Sequence, residues 1–255
     1  MNRKPTFLRQ NRPMITCMIQ EPTPTEVQLV IRNAAYDGCD AYGFQMESLE
    51  KQYRDEDTLR GIFAAMRNKP AYVTNYRGGQ NEGMSDAELT EGLITLLRCG
   101  ATLLDVTGDC YDPQPEQMTY DAAAVKKQRE LIARIHEMGG EVLMSSHVMR
   151  FLPGDEVLRI AKEQASRGAD IAKIVTAANS EDEELENLRT TQLLRRELEI
   201  PFLFLSGGSH NRLHRTIGPL LGCTMWLTVQ RYDKYSTRAQ PVCRAIRAIA
   251  DNFDY

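Results

Sequence analysis

A lysine interrupts the apolar run Ile171-Ala172-Lys173-Ile174-Val175. Two readings stand for it. In one, the side chain snorkels at a strand end or pairs with Asp105. In the other, it is a buried amine that attacks a carbonyl carbon. The preceding β-rich run closes on Ser145-Ser146-His147. An imidazole takes up and returns a proton near neutral pH, so His147 is suited to acid and base work in successive steps. A strand-end histidine also serves commonly as a hydrogen-bonded structural group. The lysine on the next run is what favours chemistry, because neighbouring strands lie ~4.8 Å apart. Arg77 and Arg215 can each hold a carboxylate through a bidentate fork, with plain surface charge as the alternative for either one. Glu47, Asp105 and Ser206 end other β-rich runs and add polar groups. Gly207-Gly208-Ser209, close to Arg212, leaves a phosphate cradle open as a further possibility. His136, His210 and His214 read as loop or helix-surface residues and receive no role.

These residues need a scaffold that brings run ends together. Apolar runs start at 14, 41, 71, 101, 141, 171, 201 and 224, with helical patterns between them. The beat of about thirty residues predicts βα units and a parallel sheet. Thr23-Pro24-Thr25-Glu26, Ser85-Asp86-Ala87-Glu88 and Ser180-Glu181-Asp182-Glu183 each carry a helix start signal. Leu89, Leu93, Leu96 and Leu97 form a one-sided stripe. Gly38, Gly100, Gly139 and Gly168 stand where helices should stop. Eight strands and eight helices in 255 residues predict an α/β, single-domain (β/α)8 TIM barrel over residues 14–255, after an N-terminal tail of residues 1–13. An open doubly wound sheet would carry a glycine-rich loop after its first strand, and Gln20-Glu21-Pro22-Thr23 is no such loop. In the barrel, the site lies at the C-terminal ends of the strands. The long segment GDCYDPQPEQMTYD after the fourth run is expected to cover a site or to be an insertion.

Composition narrows the classes. The chain is 42% hydrophobic and 26% charged, in the ordinary globular range. Lysines and arginines total 31 against 35 acidic residues, a net charge of −4, which speaks against a general nucleic-acid binder. No run reaches the length of a membrane span, and the basic N-terminus has no apolar core of a secretory signal. Six scattered cysteines without a CxxC pair predict reduced thiols in a cytoplasmic protein. No ligand spacing points to a metal site.

Three stretches together resemble type I 3-dehydroquinate dehydratase. Val142 to Met149, followed by Pro153, is similar to that family's strand ending in Ser-Tyr-His. Gly168-Ala169-Asp170-Ile171-Ala172-Lys173-Ile174 is similar to its Gly-Ala-Asp-Ile-x-Lys strand. Ser206 through Arg215, then Gly218 and Gly222, follows its Ser-Met-Gly to Ser-Arg-Leu segment. The resemblance implies a Schiff-base lyase of the shikimate pathway, in aromatic amino acid biosynthesis, acting on a small keto acid such as 3-dehydroquinate. It needs no cofactor and no metal. Lys173 would form an imine with the ketone, His147 would move the protons, and Arg215 would anchor the ring carboxylate. Arg77, Glu47, Gln45, Glu82, Asp105, Ser206 and Gln240 would complete the substrate shell. Members of the family are often homodimers, although no stripe in this sequence marks an interface.

The sequence departs from the family in that shell. Gly43, Gln45 and Glu47 stand where the family has Glu-x-Arg-x-Asp. Thr74-Asn75-Tyr76-Arg77 is one residue longer than Thr-Phe-Arg, which displaces Glu82-Gly83. Strand four has Asp105-Val106-Thr107 in place of Asp-x-Glu, Gly207 replaces a methionine, and the last loop reads Ala239-Gln240-Pro241-Val242. The imine residues are kept while their surroundings change. That leaves dehydration of dehydroquinate through a rearranged shell, the same amine chemistry on another ketone as in a class I aldolase, and a non-catalytic metabolite binder. A phosphate-binding barrel isomerase or synthase is the remaining expectation.

Overall fold

The computed structural model of the chain describes residues 5–8 and 11–253. Its strands are β1 (Met14–Ile19), β2 (Ala41–Gln45), β3 (Ala71–Thr74), β4 (Leu103–Thr107), β5 (Glu141–His147), β6 (Ile171–Ala177), β7 (Phe202–Gly207) and β8 (Met225–Val229). Between them run α1 (Pro24–Tyr36), α2 (Glu56–Ala65), α3 (Asp86–Cys99), α4 (Ala122–Glu137), α5 (Gly154–Ser166), α6 (Glu181–Glu197) and α7 (Arg212–Leu221), with α8 (Cys243–Ala250) last. The strands form one sheet in the order β7-β6-β5-β4-β3-β2-β1-β8. Sequence neighbours are sheet neighbours, joined through helices, which is the topology of the (β/α)8 barrel.

The chain makes two compact units, divided within β4 and β8. The first holds the described residues through Asp105, with Met138–Glu141 and Leu227 onward. Its strands are buried on both faces, as β1 shows by being buried at every position. Tyr42 donates its hydroxyl to the Ile31 carbonyl of α1 at 3.0 Å, so it stands on the helical face of β2. Phe44 meets Phe63 of α2 edge to face, with ring centroids 6.1 Å apart. The alternate residues Gly43 and Gln45 therefore turn from the helices. In register with Gly43 are Met18 of β1 and Tyr72 of β3. A Cβ at Gly43 would come within 2.1 Å of the Met18 sulfur, so only glycine fits between these two side chains. Phe7, in the segment before β1, is buried, and its N–H donates to Glu141 at 2.9 Å.

The second unit holds Val106–Glu137 and Val142–Trp226. Here β5, β6 and β7 are parallel, with Ser145 opposite Lys173 and Lys173 opposite Leu203. The long segment after β4 is tied down by Arg167. Its buried guanidinium donates to the carbonyls of Gly108 at 3.0 Å and Thr119 at 2.6 Å, to Gln128 Oε1 at 2.8 Å and to Glu163 at 2.9 Å. A buried cation is tolerated because these partners satisfy it.

Helix starts follow the sequence signals. Ser85 and Glu88 form a reciprocal capping box on α3, and Ser180 accepts from the Glu183 N–H on α6. At the end of α3, Gly100 has φ 128, and a Cβ there would press on Phe63 at 3.0 Å. All six cysteines are buried, and none is disulfide-bonded among the described residues. Among the described residues, no helix is long and apolar enough to cross a membrane.

Candidate active site

In the second unit the register settles which way Lys173 faces. Phe204 of β7 packs edge-on against His214 of α7, with ring centroids 5.1 Å apart, so Phe204 faces the helices. Ile174 is its register partner and shares that face. Lys173, one residue before Ile174, faces the other way. It is 4% exposed, and its carbonyl accepts from Gln164 of α5 at 3.0 Å. His147 pairs in register with Val175, two residues beyond Lys173. Period-two alternation puts His147 and Lys173 on one face. From strand spacing and rise their Cα atoms lie roughly 8 Å apart, a span that a lysine and an imidazole can bridge.

The long segment after β4 reaches the end of β5. The Glu116 carbonyl accepts the Ser146 hydroxyl at 2.6 Å, and Glu116 pairs with Arg150 at 2.6 Å. His147 Nδ1 donates to Gln117 Oε1 at 2.6 Å. A proton on Nδ1 makes Nε2 the basic nitrogen of the neutral ring. Gln117 is thus a residue that the sequence reading missed. It lies thirty positions from its partner, in a segment with no periodicity to direct it there.

Arg215, on α7, is 9% exposed. Its Nε donates to the Ser206 carbonyl at 2.6 Å. Burial pulls its pKa down to about 10, so it keeps its charge at neutral pH. Among the described residues no carboxylate pairs with it. A buried guanidinium with one nitrogen satisfied among the described residues is prepared for an anion.

Ser206 does not share the face of Lys173, contrary to the sequence expectation. Its hydroxyl accepts from Asn187 of α6 at 2.8 Å, in the helical layer. The parity that sends Phe204 toward α7 sends Ser206 the same way. His214 is also corrected. It is fully buried, not a surface residue. Its Nδ1 accepts the Ser206 N–H at 3.2 Å, which places the ring proton on Nε2, 2.9 Å from Thr191 Oγ1. Its burial was legible as spacing, since His214 shares a helical face with Gly218 four residues on. Glu184 Oε1 accepts the N–H groups of Leu213 at 3.0 Å and His214 at 3.3 Å. A carboxylate therefore occupies the α7 N-terminus, the place where a phosphate cradle was one expectation.

The neutrality of His214 has a measurable consequence. Burial, helped by the neighbouring Arg215 cation, lowers its pKa from 6.5 to about 3. The unfolded chain protonates this ring near pH 6.5, whereas the folded chain resists doing so. The stabilisation is complete above pH 6.5 and is lost as the pH falls toward 3. His214→Asn should flatten this acid limb by on the order of a few kcal/mol, read from denaturant melts across that range.

The first unit carries its own polar cluster on the face of Gly43. Glu47, just past β2, is half-buried; Thr74 Oγ1 lies 2.8 Å and 2.9 Å from its two carboxylate oxygens, and the Tyr76 N–H donates at 3.3 Å. Burial, more than the neighbouring Asp105, pushes its pKa up. Asp105 accepts hydroxyls from both Tyr72 and Tyr76. Burial holds the Tyr72 hydroxyl protonated as a donor. Gln45 Oε1 accepts from Gln20 at 2.6 Å. Gln240 is 5% exposed, and its Oε1 has no hydrogen-bond partner among the described residues. Two expected members are not brought to this cluster. Arg77 is gripped by Asp86 through Nε at 2.7 Å and Nη2 at 2.6 Å, at the start of α3. Glu82 is exposed on the loop beyond β3. Tyr76 turns to Asp105, and Arg77, next in sequence, turns out to α3. Among the described residues, no group of three or more His, Cys, Asp or Glu side chains could hold a metal ion.

Fold and site together define a (β/α)8 protein with a lysine and a histidine on one face of adjacent strands. A profile of the family described as type I 3-dehydroquinase matches residues 15–251, and the chain belongs to that family. Among curated relatives, 3-dehydroquinate dehydratase of Geobacillus kaustophilus is 28% identical over 60% of this chain and 54% of its own length. That of Lactiplantibacillus plantarum is 29% identical over 62% of this chain and 60% of its own. The matched segments thus span less than two thirds of these relatives. Among solved structures, the Geobacillus kaustophilus 3-dehydroquinate dehydratase has a TM-score of 0.79 at 19% identity, covering 97% of this chain and 95% of that one. A type I enzyme of Clostridium difficile, crystallised with covalent modified comenic acid, has a TM-score of 0.81 at 16% identity, with 98% of each chain covered. These two structural likenesses bear on the fold.

Proposed function

We propose that the chain is a carbon–oxygen lyase that dehydrates a cyclic keto acid such as 3-dehydroquinate through an imine on Lys173. The observation that carries this is the buried lysine sharing a strand face with a histidine whose Nδ1 proton is pinned by Gln117. Family membership supports the substrate class.

The neutral Nζ of Lys173 adds to the ketone carbon. The carbinolamine loses water, leaving an iminium that acidifies the adjacent C–H bond. His147 Nε2 removes that proton, and the electron pair becomes an enamine. The enamine expels the β-hydroxyl, which takes the proton back from His147 and leaves as water. A second water hydrolyses the conjugated imine, releasing the enone and restoring the amine. Dividing one elimination into these steps is the gain from covalent catalysis.

Arg215 holds the substrate carboxylate in this reading. Charged hydrogen bonds are worth ~1.5–3 kcal/mol each, so Arg215→Met should raise KM by roughly 10- to 150-fold. The imine-forming residues are untouched, so kcat should change far less. Steady-state enone formation, followed by ultraviolet absorbance, checks both constants. An unchanged KM would remove Arg215 from the binding site.

A further inference from the structure

We infer that His214 is a positioning residue, which fixes the end of β7 so that Arg215 is held ready for the substrate carboxylate. The inference rests on the proposed role of Arg215 and extends it to a residue that never touches substrate.

The geometry is a closed grip on Ser206. Its N–H donates to His214 Nδ1 at 3.2 Å, its carbonyl accepts Arg215 Nε at 2.6 Å, and its hydroxyl accepts Asn187 at 2.8 Å. The ring can accept at Nδ1 only as the Nε2–H tautomer. That tautomer is enforced from behind, because Thr191 gives its own proton to the Asn187 carbonyl at 2.9 Å and so accepts from Nε2. Phe204 closes one side of the ring. Glu184 binds the His214 N–H at 3.3 Å and fixes the start of α7. Ser206 is therefore held at both backbone groups by consecutive residues of one helix. Arg215 Nε takes its direction from a carbonyl that His214 keeps in place. Nothing else among the described residues orients that guanidinium, and it has no carboxylate partner to do so.

The test uses two substitutions that keep opposite halves of the ring. In His214→Asn the side-chain oxygen can stand where Nδ1 stood and accept the Ser206 N–H. In His214→Gln the amide nitrogen can stand where Nε2 stood, which keeps Thr191 and loses Ser206. Asn should leave KM for 3-dehydroquinate within about twofold, while Gln should raise it about tenfold, the cost of one such bond, with kcat little changed in either. In an Arg215→Met background, Gln should add nothing further to KM, because the two residues act through one contact. Equal KM for the Asn and Gln variants would overturn the inference. So would a Gln effect that persists in full without Arg215, which would mark a general structural role. If Arg215→Met alone leaves KM unchanged, it is the carboxylate anchor that fails, and with it the basis of the inference.

Discussion

Lys173→Met yields a folded chain that forms no enone. In the proposed reaction every covalent step runs through Nζ, and methionine matches the length of the side chain without a nucleophile. Losing an obligatory nucleophile lowers turnover by on the order of 10⁴-fold or more. The fold should survive, because methionine keeps the length and volume of the lysine stem and opens no cavity in the core. Lys173 is 4% exposed, within the strand sequence IAKIVTA. The measurement is enone absorbance beside a denaturant melt. Turnover within tenfold of the parent, in a folded variant, would mean that the lysine is structural.

His147→Gln should be slow where Lys173→Met is dead. Glutamine preserves hydrogen bonding but moves no protons at neutral pH. General acid–base catalysis by a positioned side chain contributes about 10²- to 10⁴-fold, and kcat should fall within that range. Lys173 keeps its amine in this variant, so labelling of Lys173 by ketone and borohydride should persist. That outcome separates proton transfer from nucleophilic attack. A variant with normal kcat would assign the Gln117–His147 bond to structure alone.

The fold was legible because spacing and caps agreed with one another. The runs expected at 141–147 and 171–177 coincide with β5 and β6. The run at 71–77 overshoots, since β3 ends at Thr74. There Asn75 leaves the ladder and donates to the Leu89 carbonyl at 2.8 Å, a contact that depends on how α3 packs. Lys173 and His147 were readable because each ends or breaks a strong pattern. The arginines show the limit of such reading. Arg77 and Arg215 look alike in sequence, yet Asp86 claims the first, while the second lies buried with no carboxylate partner among the described residues. Ser206 stands at a strand end but on its helical face, a parity that strand-end position alone does not reveal. Glu184, just inside the helix start signalled at Ser180, is 9% exposed and serves α7. Pairings between elements are set by packing, and no local pattern announces them.

The most direct measurement is to incubate the chain with 3-dehydroquinate and borohydride, digest it, and locate the reduced adduct by mass spectrometry. The account predicts one modified peptide, with the substrate carbon bound to Lys173 Nζ and activity lost in proportion to labelling. Enone production with no adduct on Lys173, or an adduct confined to another lysine, would contradict it.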